Sequence, residues 1–166
     1  MNLIEYTDKQ TMMIAVADMV AANIEAALDV RNKASIAVPG GTTPGPMFDE
    51  LCQAKLNWKD VSVMLTDERW VAEDDPRSNT MLVKNRLICN QSVDISYVGL
   101  YNGDNSPLLG ATSVSQDVEA QLPLDVVVLG MGADMHTASL FPGAAELPMA
   151  QASDAPAVVA ITPGGD

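Results

Sequence analysis

The chain has 166 residues, 48% of them apolar and 19% charged, with a net charge of −13 at neutral pH. That is enough for one domain with its own core, and the balance is that of a globular chain, not a disordered one. The acidic excess speaks against nucleic acid and anionic membranes as partners, because a polyanion meets repulsion over most of the surface.

The first ten residues, MNLIEYTDKQ, lack a basic region followed by an apolar stretch, so a secretory leader is not expected. No apolar run approaches the roughly 20 residues of a bilayer span, and the location expected is cytoplasmic. Residues 8–31 predict a helix. Thr7 and Gln10 fit a capping box, and Met12, Met13, Val16, Met19, Val20, Ile24, Ala27 and Leu28 recur at three- and four-residue spacing. ASIAV (34–38) predicts a short strand, PGGTTPG a turn, and Pro44 the start of a second helix with Thr43 as its cap.

VSVMLT (61–66) predicts the next strand, opening into the polar segment DERWVAEDDPRSN. Ser78 is placed to cap a helix running through about Ile88. DISYVGL (94–100) reads as a strand, residues 112–121 as a modest helix, LDVVVLG (124–130) as a strand, and APAVVAIT (155–162) as one more. Strands that are apolar almost throughout and alternate with helices imply a mainly parallel α/β sheet with helices on both faces. The turn signal TPGGD after the last strand predicts that a covering helix belongs beyond it, so the chain reads as the larger part of a longer single domain.

Cys52 and Cys89 are far apart, in no CxxC pattern, and are expected to be reduced structural thiols. With His136 the only histidine, a zinc site, which needs three or four converging ligands, is not expected.

In an open α/β sheet, ligands bind beyond the carboxyl ends of the strands, and three polar segments fall at that edge. After the first strand, Gly40, Gly41, Thr42 and Thr43 offer amides and hydroxyls at a helix start, suited to an anion, although an ordinary tight turn looks the same. The Gly-Lys-Ser/Thr ending of a Walker loop is missing. After the second strand come Asp67, Glu68 and Arg69, where a solvated loop is the plain alternative. Arg69, Arg77, Lys84 and Arg86 fall within 18 residues and suggest a local positive zone.

After the fourth strand, GMGADMHTAS delivers His136, two residues from Asp134 and followed by an expected helix start at Thr137. Imidazole titrates near pH 6.5, suited to taking a proton from water, and a nearby carboxylate can fix its tautomer. GMGADM lacks the third glycine of a dinucleotide fingerprint and lies late in the chain, and no GxSxG elbow is present.

VPGGTTP, TDERWVAEDDPRSN and VVVLGMGADMHTASLFPG together resemble the bacterial, single-domain 6-phosphogluconolactonases, from about Ala15 to the end and in the family's order. The wider superfamily includes glucosamine-6-phosphate deaminases and isomerases. Deaminases typically carry Asp-Glu-Tyr where this chain has Asp67-Glu68-Arg69, and Phe-Asn-Glu-Pro-Gly where it has Ser139–Gly143, without the acid of the ring-opening chemistry. Met135 stands where the family usually has a glycine. Family members also run well past residue 166, and that part supplies further basic residues to the phosphate.

The resemblance implies a Rossmann-like fold of the glucosamine-6-phosphate deaminase type that hydrolyses 6-phosphogluconolactone. His136 would be the general base, held by Asp134 or Asp67. Arg69 would meet the phosphate or the oxyanion, and Gly40, Gly41, Thr42, Thr43, Arg77, Gly132 and Thr137 would bind substrate. The partner implied is a small sugar phosphate, with no cofactor, no metal and a monomeric state expected. The competing readings are a deaminase or isomerase, and a sugar-phosphate-sensing domain without catalysis.

Overall fold

Ala34–Val38 forms β1, and all five of its side chains are buried. In the computed structural model, which describes residues 2–163, this strand lies inside a four-stranded sheet. Val61–Leu65 (β2) pairs with β1 on one side, and Val126–Val127 (β4) pairs with it on the other. Ser96–Val98 (β3) pairs with β2, giving the order β3-β2-β1-β4 with every pair parallel.

Side chains alternate between the two faces of a strand, and the core divides accordingly. Ala34, Ile36, Val38, Val61, Val63 and Leu65 face α1 (Lys9–Arg31), α2 (Gly45–Leu51) and α3 (Asn79–Arg86). Ala37 and Met64 face the opposite way, onto Val118 of α4 (Pro107–Glu119) with Ala157 and Val158. Helices thus cover both faces, as the apolar strands require. A short α5 (Leu147–Ala150) follows the last strand.

By length and mean hydropathy, 1.5 over its best window, α1 would pass for a membrane span, a property the sequence reading denied to every segment. In the fold its stripe of Met13, Ala17, Val20, Ile24 and Ala27 is buried, while Asp18, Glu25 and Asp29 face outward. That is the pattern of an amphipathic core helix.

Several boundaries differ from expectation. Asp8, not Thr7, caps α1: its carboxylate accepts from both the Thr11 amide (2.8 Å) and the Thr11 hydroxyl (2.9 Å), which one hydroxyl cannot match. Pro44 occupies the cap position of α2, and Thr43 makes no cap there. The fourth helix starts at Pro107 rather than 112, with the Ser106 hydroxyl accepting from Leu109, a Ser-Pro start that outweighs apolar spacing.

Residues 94–100 and 124–130 yield strands of only three and two residues. β4 is held at its start by Asp125, which accepts from the Ser35 amide at 2.8 Å and pairs with Arg31. Beyond that anchor, Val127 and Leu129 are half exposed. Residues 155–162 form no strand; their apolar side chains cover the second face instead of extending the sheet. No helix begins at Thr137, which makes an isolated bridge with Leu140.

Candidate active site

Because all strands are parallel, their carboxyl ends share one edge. The chain leaves β1 for β2 on one side and returns to β4 on the other, so the switch point lies between β1 and β4, where open α/β sheets form their ligand crevice. The Gly40–Thr43 turn leaves one of these strands, and the Gly130–His136 segment leaves the other.

His136 is set by a tight turn. The Gly132 amide donates to the His136 carbonyl (2.8 Å), and the Met135 amide donates to the Gly132 carbonyl (2.9 Å). Closing it places Met135 in the left-handed region at φ +69°. Within the turn, His136 Nδ1 lies 2.5 Å from Asp134 Oδ1. The hydrogen bond to His136 holds the Asp134 carboxyl below the usual carboxylate range, so it is ionised at neutral pH. An ionised carboxylate accepts a hydrogen bond from Nδ1–H, and that tautomer has its Nε2 lone pair free for incoming chemistry. The imidazole also packs against Phe141, ring centroids 4.7 Å apart and planes tilted by 41°.

Gly132 supplies the room. A Cβ there would fall 2.3 Å from His136 Cε1 and 2.7 Å from Asp134 Oδ1, so any side chain would displace both groups. Spacing in the sequence brought Asp134 and His136 together, but gave no sign of this clearance.

Asp67 is not on the imidazole. Its Oδ2 accepts from the Ser139 hydroxyl at 3.1 Å, which ties the loop after β2 to the segment after β4. Of the two carboxylates considered for His136, the structure pairs Asp134 with it.

The basic zone dissolves into separate pairs. Arg77 forks onto Asp75 (3.0 and 2.8 Å) and holds that carboxyl down at about 2, so its charge is spent within its own turn. Lys84 pairs with Glu73 at 2.8 Å, and Arg86 clasps Asp49. Among the described residues Arg69 forms no ion pair; one guanidinium nitrogen donates to the Arg77 carbonyl at 3.0 Å, and the side chain is exposed.

Gly41 has φ +78°, and Thr42 and Thr43 are exposed. Among the described residues neither threonine makes a hydrogen bond through its amide or hydroxyl. Thr137 is half-buried, and its carbonyl accepts from Leu140.

Two residues outside the expected site set, Glu68 and Asn79, do much of the positioning. Glu68 is no solvated loop carboxylate: it accepts from the amides of Asn79 (2.8 Å) and Thr80 (2.7 Å), closing the start of α3. Asn79 reaches back to the β1 turn. A cavity of about 220 Å³ lies elsewhere, beside Ser78, Thr80, Lys84 and Tyr97, and none of the candidate site residues lines it. Among the described residues no cluster of His, Cys, Asp and Glu is arranged to hold a metal.

The family model for glucosamine-6-phosphate isomerases and 6-phosphogluconolactonases matches residues 7–165. The chain belongs to this family. A 6-phosphogluconolactonase of Rhizobium meliloti is 39% identical over 147 residues, which cover 88% of this chain. The chain spans 63% of that relative's length. A crystal structure of a 6-phosphogluconolactonase from Shewanella baltica superposes with a TM-score of 0.92 at 37% identity, covering 95% of this chain and 68% of that one. A monomeric glucosamine-6-phosphate deaminase, at 19% identity and a TM-score of 0.75, covers 86% of this chain and 60% of that one and shares the fold. The glucosamine-6-phosphate deaminase type of fold expected from the resemblance is the fold found.

Proposed function

We propose that the chain carries the catalytic half-site of a lactone hydrolase acting on 6-phosphogluconolactone. The observation that carries this reading is the Asp134–His136 pair, held in one turn at the switch point with Nδ1 on the carboxylate. Nε2 takes a proton from water, and the hydroxide attacks the lactone carbonyl carbon. The tetrahedral oxyanion then collapses, breaking the bond to the ring oxygen. The imidazolium returns its proton to that oxygen, giving the open-chain acid.

An activated ester asks little of a catalyst, so one oriented base, positioning and electrostatics supply the rate. The phosphate sits on the Gly40–Thr43 turn, whose Thr42 and Thr43 hydroxyls and amides are available to it. Arg69 offers a fixed positive fork to an anionic oxygen of the substrate. Arg77 keeps Asp75 as its partner and serves the loop. The names of the relatives, and the lack of an acid within Ser139–Gly143, favour hydrolysis over deamination.

The test is to assay the chain with freshly generated 6-phosphogluconolactone, subtracting spontaneous hydrolysis. Turnover that His136→Ala abolishes is the expected result. Hydrolysis equal in the parent and in His136→Ala would overturn the reading.

A further inference from the structure

Asn79 opens α3 and is only 3% exposed. Its carboxamide faces two loops at once: Nδ2 donates to the Asp67 carbonyl at 3.0 Å, and Oδ1 accepts from the Gly41 amide at 3.2 Å. The carboxamide also fills the space beside Gly40, where a Cβ would lie 1.9 Å from Asn79 Cγ. Its own backbone is fixed by Glu68, which binds the amides of Asn79, Thr80 and Arg69 and the Thr80 hydroxyl.

We propose that Asn79 is a positioning residue that latches the Gly40–Gly41 turn to the Asp67–Arg69 loop and so sets the geometry of the phosphate site. This rests on reading Gly40–Thr43 as the phosphate loop. A primary amide suits the task because it donates and accepts from one planar end, whereas aspartate loses the donor. The Gly41 amide is committed to Asn79, so the substrate's phosphate meets the groups of Thr42 and Thr43. Asp67 completes the linkage by accepting from the Ser139 hydroxyl, so the loops after β1, β2 and β4 are joined through the side chains of Asn79, Asp67 and Ser139.

Two measurements test this on the 166-residue chain. The first is hydrogen exchange at the Gly41 amide without ligand. Asn79→Ala should speed it about tenfold, the equivalent of one hydrogen bond, while Asn79→Asp, which keeps the acceptor, should preserve protection. The second is the ratio of the Kd values for gluconate and 6-phosphogluconate. Asn79→Ala should lower this selectivity about tenfold, whereas general loosening of the fold would weaken both ligands equally.

Gly40→Ala attacks the same contact from the other side and should reproduce both effects, which keeps the test open if Asn79→Ala fails to fold. Unchanged Gly41 exchange, or unchanged selectivity, in both variants would overturn the latch. A parent chain that does not distinguish the two ligands would instead sink the phosphate-loop reading, with the latch still decided by the exchange measurement.

Discussion

His136 and Asp134 sit two positions apart in one turn, Nδ1 2.5 Å from Oδ1, with the glycine at 132 leaving the space both occupy. His136→Ala should lower kcat about 10²-fold or more and leave KM within a few-fold, because the base acts only on the reacting water. Asp134→Asn keeps the shape and one neutral acceptor but removes the charge that favours a proton on Nδ1, and should lower kcat by about tenfold. The pH dependence follows the same pair. The folded-state pKa of Asp134 is depressed, mainly by its bond to His136, so its contribution is present above the ordinary carboxylate pKa and lost as pH falls through the depressed value. Steady-state kinetics and ring-proton NMR across the acid range check both statements.

Met135 is the strained member of that turn, an exposed methionine at φ +69°. A side chain in the left-handed region costs about 1 kcal/mol, which glycine escapes at the expense of greater freedom when unfolded. Met135→Gly should therefore be neutral to stabilising by about 0.5 kcal/mol, and Met135→Val destabilising by about 1–2 kcal/mol, since β-branched residues tolerate this conformation worst. Urea midpoints of the three proteins decide it. A valine variant as stable as the parent would show that the turn is not built as described.

Tyr97 gives a second pH test, remote from the catalytic pair. Burial pushes its phenol up to about 12 from the usual 10, despite the 2.6 Å bond to the Thr80 hydroxyl. With the folded pKa raised, the stabilisation is complete below pH 10 and drains away as pH rises from 10 to 12, by about 3 kcal/mol at most. Tyr97→Phe should flatten that part of the stability curve. Denaturant midpoints at pH 9 and pH 11.5 for both proteins would reveal an unchanged slope if the burial argument is wrong.

What the sequence disclosed was what lies close together along the chain. The bounds of β1 follow from a short, mainly apolar run that stops at Pro39, the Ser78 cap of α3 from a hydroxyl before a helical run, and the Asp134–His136 pair from their spacing. What stayed hidden depends on distance along the chain. Asn79 reaches Gly41 across 38 positions, and Asp49 neutralises Arg86 across 37, so a cluster of cations in the sequence becomes a set of separate pairs in space. The Asp75–Arg77 pair was visible two residues apart, yet counting charges hid it. β4 is shorter than its apolar run because hydrophobicity alone does not set pairing: Val127 and Leu129 stay half exposed, and Asp125 and the neighbouring β1 fix where pairing begins.

Arg69 separates the two ways in which the proposed site could meet an anion. Its guanidinium, exposed and without an acidic partner among the described residues, is the member of the former basic zone still available to substrate. If it binds the phosphate, Arg69→Met should raise KM and the Kd of 6-phosphogluconate together, by about tenfold, and leave kcat within twofold. If it meets the oxyanion, kcat should fall by about 10²-fold with the product Kd nearly unchanged, since the charge it stabilises exists only in the transition state. No change in either quantity would remove Arg69 from the site. In a deaminase this guanidinium would lie near a substrate ammonium, where like charges at about 4 Å repel by several kcal/mol at an effective dielectric of about 20. The chain should therefore release no ammonia from glucosamine 6-phosphate. Arg69→Tyr should not create that activity, because the segment Ser139–Gly143 still lacks an acid to relay the ring-opening proton. A coupled ammonia assay above background in the parent chain would overturn the hydrolase reading, and turnover only in Arg69→Tyr would show that this one position separates the two chemistries.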